Sequence, residues 1–178
     1  GNWPDFRETG PTRGKNAGRD ALAYVAYWCH GAPGIALSRL RAYALTADPA
    51  RREEALAGIR TTERAVRSDL ATSAGDYSLC HGLAGNATVL LHAARAGAAI
   101  DSESTLSNVE LLAMEVAEEG ARRYEANGWW ACGTGMRPHA QAPGLMLGLA
   151  GIGHFYLRLA HPKVPSILLI EPEVWSAS

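Results

Sequence analysis

Two short stretches of this 178-residue sequence set a thiol beside an imidazole: Trp28-Cys29-His30-Gly31 and Leu79-Cys80-His81-Gly82. In both, the Cys-His pair comes directly before the first glycine of a Gly-x-x-Gly element. Thiolate sulfur and imidazole nitrogen are the preferred ligands of zinc. Two thiolates and one imidazole form a triad that leaves the fourth tetrahedral position open, as catalytic zinc sites do and closed structural sites do not. Cys29, Cys80 and one of His30 or His81 would make that triad. The third cysteine, Cys132 in Trp130-Ala131-Cys132-Gly133, lies outside the repeated register and reads as a packing residue. As a fourth ligand it would instead close the site. Three cysteines, an odd number, with no secretion signal argue against a disulfide framework and for reduced thiols in the cytoplasm.

A repeat would bring the two pairs together. Gly31-Ala32-Pro33-Gly34, Gly82-Leu83-Ala84-Gly85 and Gly148-Leu149-Ala150-Gly151 share their glycine spacing, and their first glycines are 51 and 66 residues apart. Periods of this size correspond to one helix pair per unit, stacked or arranged in a ring. Equivalent positions on neighbouring units would then face one another.

The surrounding sequence is helical in pattern. Ala21 to Trp28 is mostly Ala, Tyr and Val, and reads as a helix stopped at Gly31. A second helix is expected from Pro33 to Thr46, with Ile35, Leu37, Leu40 and Leu45 apolar. Arg51 to Leu70 has the cleanest amphipathic spacing, with Leu56, Ile59, Val66 and Leu70 on one face and a solvated Arg/Glu face opposite. Asn86 is a candidate N-cap for the helix running to Gly97, which a start one or two residues earlier would also fit. Ser104 to Asn127 is amphipathic through Val109, Leu112, Val116 and Tyr124, with Gly128 placed for a left-handed terminus. Trp129 to Pro143 is irregular, Gly144 to Ala160 is a Gly/Leu-rich helix, and Pro162 to Pro172 is a packed extended tail or short strand. Residues 1–20, rich in Gly, Pro, Arg and Asn, read as a surface segment. The fold class is therefore all-α.

Bulk properties narrow the function. The length suits one domain, residues 1–178, with a real core. A formal net charge of −1 offers no basic field, so nucleic acid is not an expected partner. No apolar run reaches the roughly 20 residues of a membrane span. The sequence starts at Gly1 without a methionine, and we read it as a piece of something larger.

Three motifs in order, Trp28-Cys29-His30-Gly31-Ala32-Pro33-Gly34-Ile35, Ser78-Leu79-Cys80-His81-Gly82 and Pro143-Gly144-Leu145-Met146-Leu147-Gly148-Leu149-Ala150-Gly151-Ile152-Gly153, resemble the lanthionine synthetase C-like (LanC-like) cyclase family. The similarity is closest to the cyclase domain at the C-terminal end of class II (LanM-type) lanthipeptide synthetases. The opening Asn2-Trp3-Pro4-Asp5 and the tail Val164-Pro165-Ser166-Ile167-Leu168-Leu169-Ile170-Glu171-Pro172 look like that family too. The resemblance implies an α/α toroid, a double ring of helix hairpins with Gly-x-x-Gly turns at the inner helices. It implies Zn2+ held by Cys29, Cys80 and His81, with His30 beside the metal and assisting proton transfer rather than ligating.

By the same resemblance the substrate is a lanthipeptide precursor carrying dehydroalanine or dehydrobutyrine and free cysteines. Thioether rings form by addition of a cysteine thiolate to the dehydro residue, and a dehydratase domain would precede the cyclase in the full-length enzyme. The sequence departs from the family pattern in two places. No Ala-His-Gly type motif precedes Cys29, and Val25 stands where some relatives carry arginine. We therefore read the chain as the zinc-bearing part of a cyclase domain. The alternative is a non-catalytic zinc- or peptide-binding helical-repeat module, which a four-ligand site including Cys132 would favour. A glycan-processing toroid needs paired carboxylates near a cavity, and none lies near the glycine motifs. Of the other histidines, none of which is read as a site residue, His92 is expected on a helix face or in the core and His139 and His161 in solvated loops, while His154, after the third glycine motif, could point to the central cavity.

Overall fold

The computed structural model describes residues 2–4, 24–73, 75–96, 105–133 and 141–169. Five helices appear in them: α1 (Ala32–Thr46), α2 (Pro49–Ala71), α3 (Leu83–Arg95), α4 (Thr105–Asn127) and α5 (Leu149–Ala160). No strand occurs among the described residues, and the one extended pairing is an isolated antiparallel bridge between Ala26 and Gly31. The architecture is all-α, consistent with an arc of a helical toroid. No described helix is long and apolar enough to cross a membrane.

The helices form two layers. α1, α3 and α5 each begin directly after a repeat glycine, with Gly31, Gly82 and Gly148 as their N-terminal boundary residues. The longer α2 and α4 pack outside α1 and α3. α3 is central and buried almost all round, from Leu83 to Leu91, which its run of small and apolar residues permits. α2 buries Leu56, Ile59 and Val66 and turns its Arg/Glu face to solvent, where pairs such as Arg67–Glu63 contribute little individually. Arg39–Glu54 links α1 to α2 at 2.6 Å.

The three repeats are equivalent at the backbone. A Cβ on Gly31, Gly82 or Gly148 would collide with the carbonyl oxygen of Val25, Asp76 or Ala142, in each case six residues back. A Cβ on Gly34, Gly85 or Gly151 would collide with the carbonyl of Trp28, Leu79 or Leu145, again six residues back. Each loop thus wraps tightly over the first turn of its own helix, and only glycine leaves room at both places. The loops also bond to one another: Trp28 N–H donates to Cys80 O (3.0 Å) and Cys80 N–H to Met146 O (2.9 Å).

Several elements differ from the sequence expectation. The described part of the expected Ala21–Trp28 helix, from Tyr24 on, is not helical. Its backbone groups bond across the fold instead, Trp28 N–H to Cys80 O and Ala26 O to the Asn86 side chain. Asn86 is not an N-cap. α3 starts at Leu83, and Asn86 lies one turn inside it, 2% exposed. α5 starts at Leu149 because residues 144–148 are spent in the wrapped loop. The tail forms turns and bends up to residue 169, with Leu168 buried, and no strand. Leu45 and Tyr124 are exposed, although Tyr124 stacks on Trp130 (centroids 5.3 Å apart). The left-handed terminus expected at Gly128 is present, at φ 76°.

Trp130 collects Tyr77, Tyr124 and Tyr156 around it, and Gly120 on α4 leaves the space that Tyr77 and Tyr156 occupy. Both phenols donate to α4 carbonyls, Tyr77 to Val116 O (3.3 Å) and Tyr156 to Ala117 O (2.7 Å). Burial is the main force raising both phenol pKa values, Tyr77 from 10.0 to about 12, and Tyr156 in the same direction. An unfolded tyrosine ionises near 10, so the stability held by these neutral phenols is complete below pH 10 and falls at higher pH, the Tyr77 share being lost as pH rises through about 12. The thermal midpoint should fall across this alkaline window, and the fall should be shallower in a Tyr77→Phe/Tyr156→Phe double variant. The glycine wrapping gives a second test. Gly85→Ala should cost about 3 kcal/mol or more in denaturant unfolding. Gly153→Ala, where an added Cβ meets nothing within 4 Å, should be neutral or stabilising by up to about 1 kcal/mol.

Candidate metal centre

Cys29 stands on the loop before α1, and Cys80 and His81 stand on the loop before α3. Both cysteines lie two residues ahead of their repeat glycine, so the equivalence of the loops and the Trp28–Cys80 backbone bond bring the pairs face to face. One sulfur from each cysteine and one ring nitrogen of His81 all lie within 4.8 Å of one another. The third repeat carries Met146 and Leu147 at the matching positions and adds no ligand of this kind.

The loops are held by groups that themselves do no chemistry. In the second loop, Ser78 N–H donates to the Asp76 carboxylate (2.6 Å) and His81 N–H to Ser78 Oγ (3.2 Å). Leu83 N–H closes the loop on Asp76 O (2.8 Å). In the first loop, two asparagines from distant parts of the chain take the carbonyls that an internal helix would have used. Asn2 donates to Val25 O (3.3 Å) and accepts from Ala32 N–H (3.1 Å), while Asn86 donates to Ala26 O (2.9 Å). Tyr27 lies between the two histidines, edge-on to His30 (5.4 Å between centroids) and tilted against His81 (5.1 Å).

The donor set fits zinc. Ligands about 2.0–2.3 Å from a tetrahedral ion stand roughly 3.3–3.8 Å apart, which small closing movements reach from the present spacing. The Cys80 thiol is pushed up to about 12, chiefly by burial and then by its hydrogen bond and charge interaction with Cys29. Burial and the neighbouring Cys29 disfavour the Cys80 thiolate, and a divalent cation in contact with it would favour that form. His30 Nδ1 lies 3.0 Å from Cys29 Sγ, at the edge of the cluster.

Among the described residues, Cys132 is not part of the cluster. It is partly buried against the core, while Gly133 N–H bonds to Leu147 O (3.0 Å). His154 does not reach the site. One ring nitrogen is 3.2 Å from Pro165 O, and burial lowers its pKa. His92 lines a separate cleft with Arg41 and Arg158, His161 is exposed at the end of α5, and His139 lies outside the described residues.

Sequence reasoning gives no role at the site to Tyr27, Asp76, Ser78 or the two clamping asparagines, and reads Asn86 as a helix cap. Asp76-Tyr77-Ser78 is a recognisable Asx-turn pattern and was open to detection. Asn2 and Asn86 carry no such signal, because their partners are 23 and 60 residues away.

The sequence model described as "Lanthionine synthetase C-like protein" matches residues 1–169, nearly the whole chain. The chain belongs to this family. No curated protein and no solved structure matches it. In a LanC-like chain, motifs that meet at two thiols and an imidazole join the sequence pattern to one spatial cluster.

The asparagine clamp is testable apart from any chemistry. Asn86→Ala removes a buried donor and leaves Ala26 O unsatisfied, so it should cost about 1–3 kcal/mol of stability. Because that carbonyl belongs to the Cys29 loop, zinc affinity in a chelator competition should fall in the same variant.

Proposed function

We propose that this chain carries a zinc-dependent lanthionine cyclase centre with Cys29, Cys80 and His81 as metal ligands and His30 as the proton-handling residue. The observation that carries the reading is the meeting of those three ligand atoms within 4.8 Å in a chain of the LanC-like family. The substrate class is a precursor peptide bearing dehydroalanine or dehydrobutyrine together with free cysteines. The motif order extends the proposal to a class II (LanM-type) synthetase, in which a dehydratase domain supplies the dehydro residues.

When bound, zinc supplies the Lewis acidity that keeps a substrate cysteine as thiolate near neutral pH. The chain's own residues account for the rest. Among the described residues the triad offers three protein ligands and Cys132 stands apart, which supports a fourth position kept for the substrate. In the addition, a sulfur lone pair forms the C–S bond at the β-carbon of the dehydro residue. The π pair moves onto the neighbouring carbonyl as an enolate, and the α-carbon then takes a proton. The proton lost from the thiol equals the proton gained at carbon, and nothing is oxidised or reduced. We assign that proton transfer to His30, a reading supported by its contact with Cys29 and with the edge of Tyr27. Tyr27 also bears on His81, so one ring orients both imidazoles.

Metal analysis of the purified protein should find one zinc per chain. Cys29→Ala, Cys80→Ala and His81→Ala should each lose it, and His30→Ala and Cys132→Ala should keep it. With a dehydroalanine peptide, His30→Ala should slow thioether formation by about 10²–10⁴-fold at unchanged zinc content. Zinc retained after both Cys29 and Cys80 are removed would sink the proposal.

A further inference from the structure

A cleft of about 630 Å³ opens beside the metal centre, and Cys29 and His30 form part of its wall. Apart from Ser38 the rest is apolar or glycine, and it comes from three separate parts of the chain. Trp3 and Pro4 come from the N-terminal segment, Trp28 and Ile35 flank the first glycine motif, and Leu168 and Leu169 come from the tail. No Asp, Glu, Lys or Arg lines it among the described residues. Its walls are anchored. Asn2, next to Trp3, is bonded to Val25 O and Ala32 N–H, and Leu168 is part of the buried core. A cleft of this size and lining suits a bulky apolar group, and its volume falls in the ordinary range of ligand pockets.

We infer that this cleft is a specificity subsite that takes the apolar side chain of a peptide residue immediately flanking the reacting cysteine. The inference rests on the proposed metal centre and deepens it. The cleft and the triad share Cys29 as a wall residue. A peptide whose thiol sits at the triad has its adjacent residue one Cα step of about 3.8 Å from the cysteine Cα, and the shared Cys29 wall makes the cleft the neighbouring space for that residue's side chain. A large aliphatic or aromatic side chain there is removed from water against Trp3, Trp28 and Ile35, while an acidic one would lose hydration with no Lys or Arg among the lining residues.

The test uses the zinc-loaded protein and short peptides, acetyl-Gly-X-Cys-Gly-amide with X as Gly, Asp, Leu or Phe, each with a serine counterpart. Binding is read by calorimetry or by tryptophan fluorescence. Leu and Phe peptides should bind about 10–100-fold more tightly than Gly or Asp peptides. Ile35→Asp should abolish that ratio with zinc content unchanged. Ser38→Trp, at an exposed position on α1 that lines the cleft, should do the same by filling it, and serves if Ile35→Asp fails to fold. A ratio near one, a ratio that survives both substitutions, or no binding of any peptide at millimolar concentration would overturn the subsite. The cysteine-to-serine comparison at fixed X reads the metal centre separately. Equal binding of both would count against thiol capture at zinc, while the dependence on X would still decide the cleft.

Discussion

The structure depends on a steric constraint that is met three times. At both glycines of each Gly-x-x-Gly element, a carbonyl oxygen from six residues earlier occupies the place a Cβ would need. That wrapping pulls the loop down on the first turn of its helix and fixes where the residues just ahead of the motif stand. It also brings neighbouring loops close enough for the backbone relay from Trp28 to Cys80 to Met146. Without the glycines the loops would lift, the relay would break, and the two Cys-His pairs would have no reason to meet. The two-layered helix arrangement serves this constraint, with α3 buried at the centre because loops on both sides bond to the one that precedes it.

The candidate centre follows from the repeat and also from its imperfection. Cys29 and Cys80 are equivalent positions on adjacent units, so a pair of thiols arises from the repeat itself. The third unit places Met146 there, and the ligand set stays at three rather than growing toward a closed cage. The first loop departs from the other two in a further respect. In the second and third loops the residue after the first glycine bonds to a carbonyl of its own loop, from Leu83 to Asp76 and from Leu149 to Ala142. In the first loop Ala32 bonds to Asn2 instead. The N-terminal segment is thereby tied to the cysteine-bearing loop, and Trp3 is brought to the wall of the cleft beside it. Burial, and then the neighbouring Cys29, push the Cys80 thiol pKa up, and a cation held by the proposed triad would act in the opposite direction.

Much of this was legible in the residues. α2 and α4 have strong helical periodicity over more than twenty positions, and their boundaries and buried faces agree with the expected ones to within a residue or two, apart from Tyr124. Glycine spacing identified the repeat because a carbonyl packed against Cα admits no other residue, and that demand is visible wherever it recurs. The segment from Tyr24 to Trp28 misled for an equally physical reason. Its composition is compatible with a helix, but its carbonyls and amides are claimed by Cys80, Asn86 and Asn2, and a local pattern cannot register distant partners. Asn86 misled in the same way, having the chemistry of a cap and being used as a buried strut.

Residue type and short-range spacing by themselves determined the all-helical class, the glycine-wrapped loops, the thiol and imidazole donors and the family pattern, because each is encoded within a few neighbouring positions. The tertiary structure decided which groups share a space. It put His81 in the cluster with both sulfurs and His30 at its edge, set Tyr27 between them, left Cys132 and His154 outside, and assembled a cleft from the two ends of the described chain and the first glycine motif. Those outcomes depend on contacts between groups tens of residues apart. Their energies come from packing and desolvation that exist only once the helices have closed on one another.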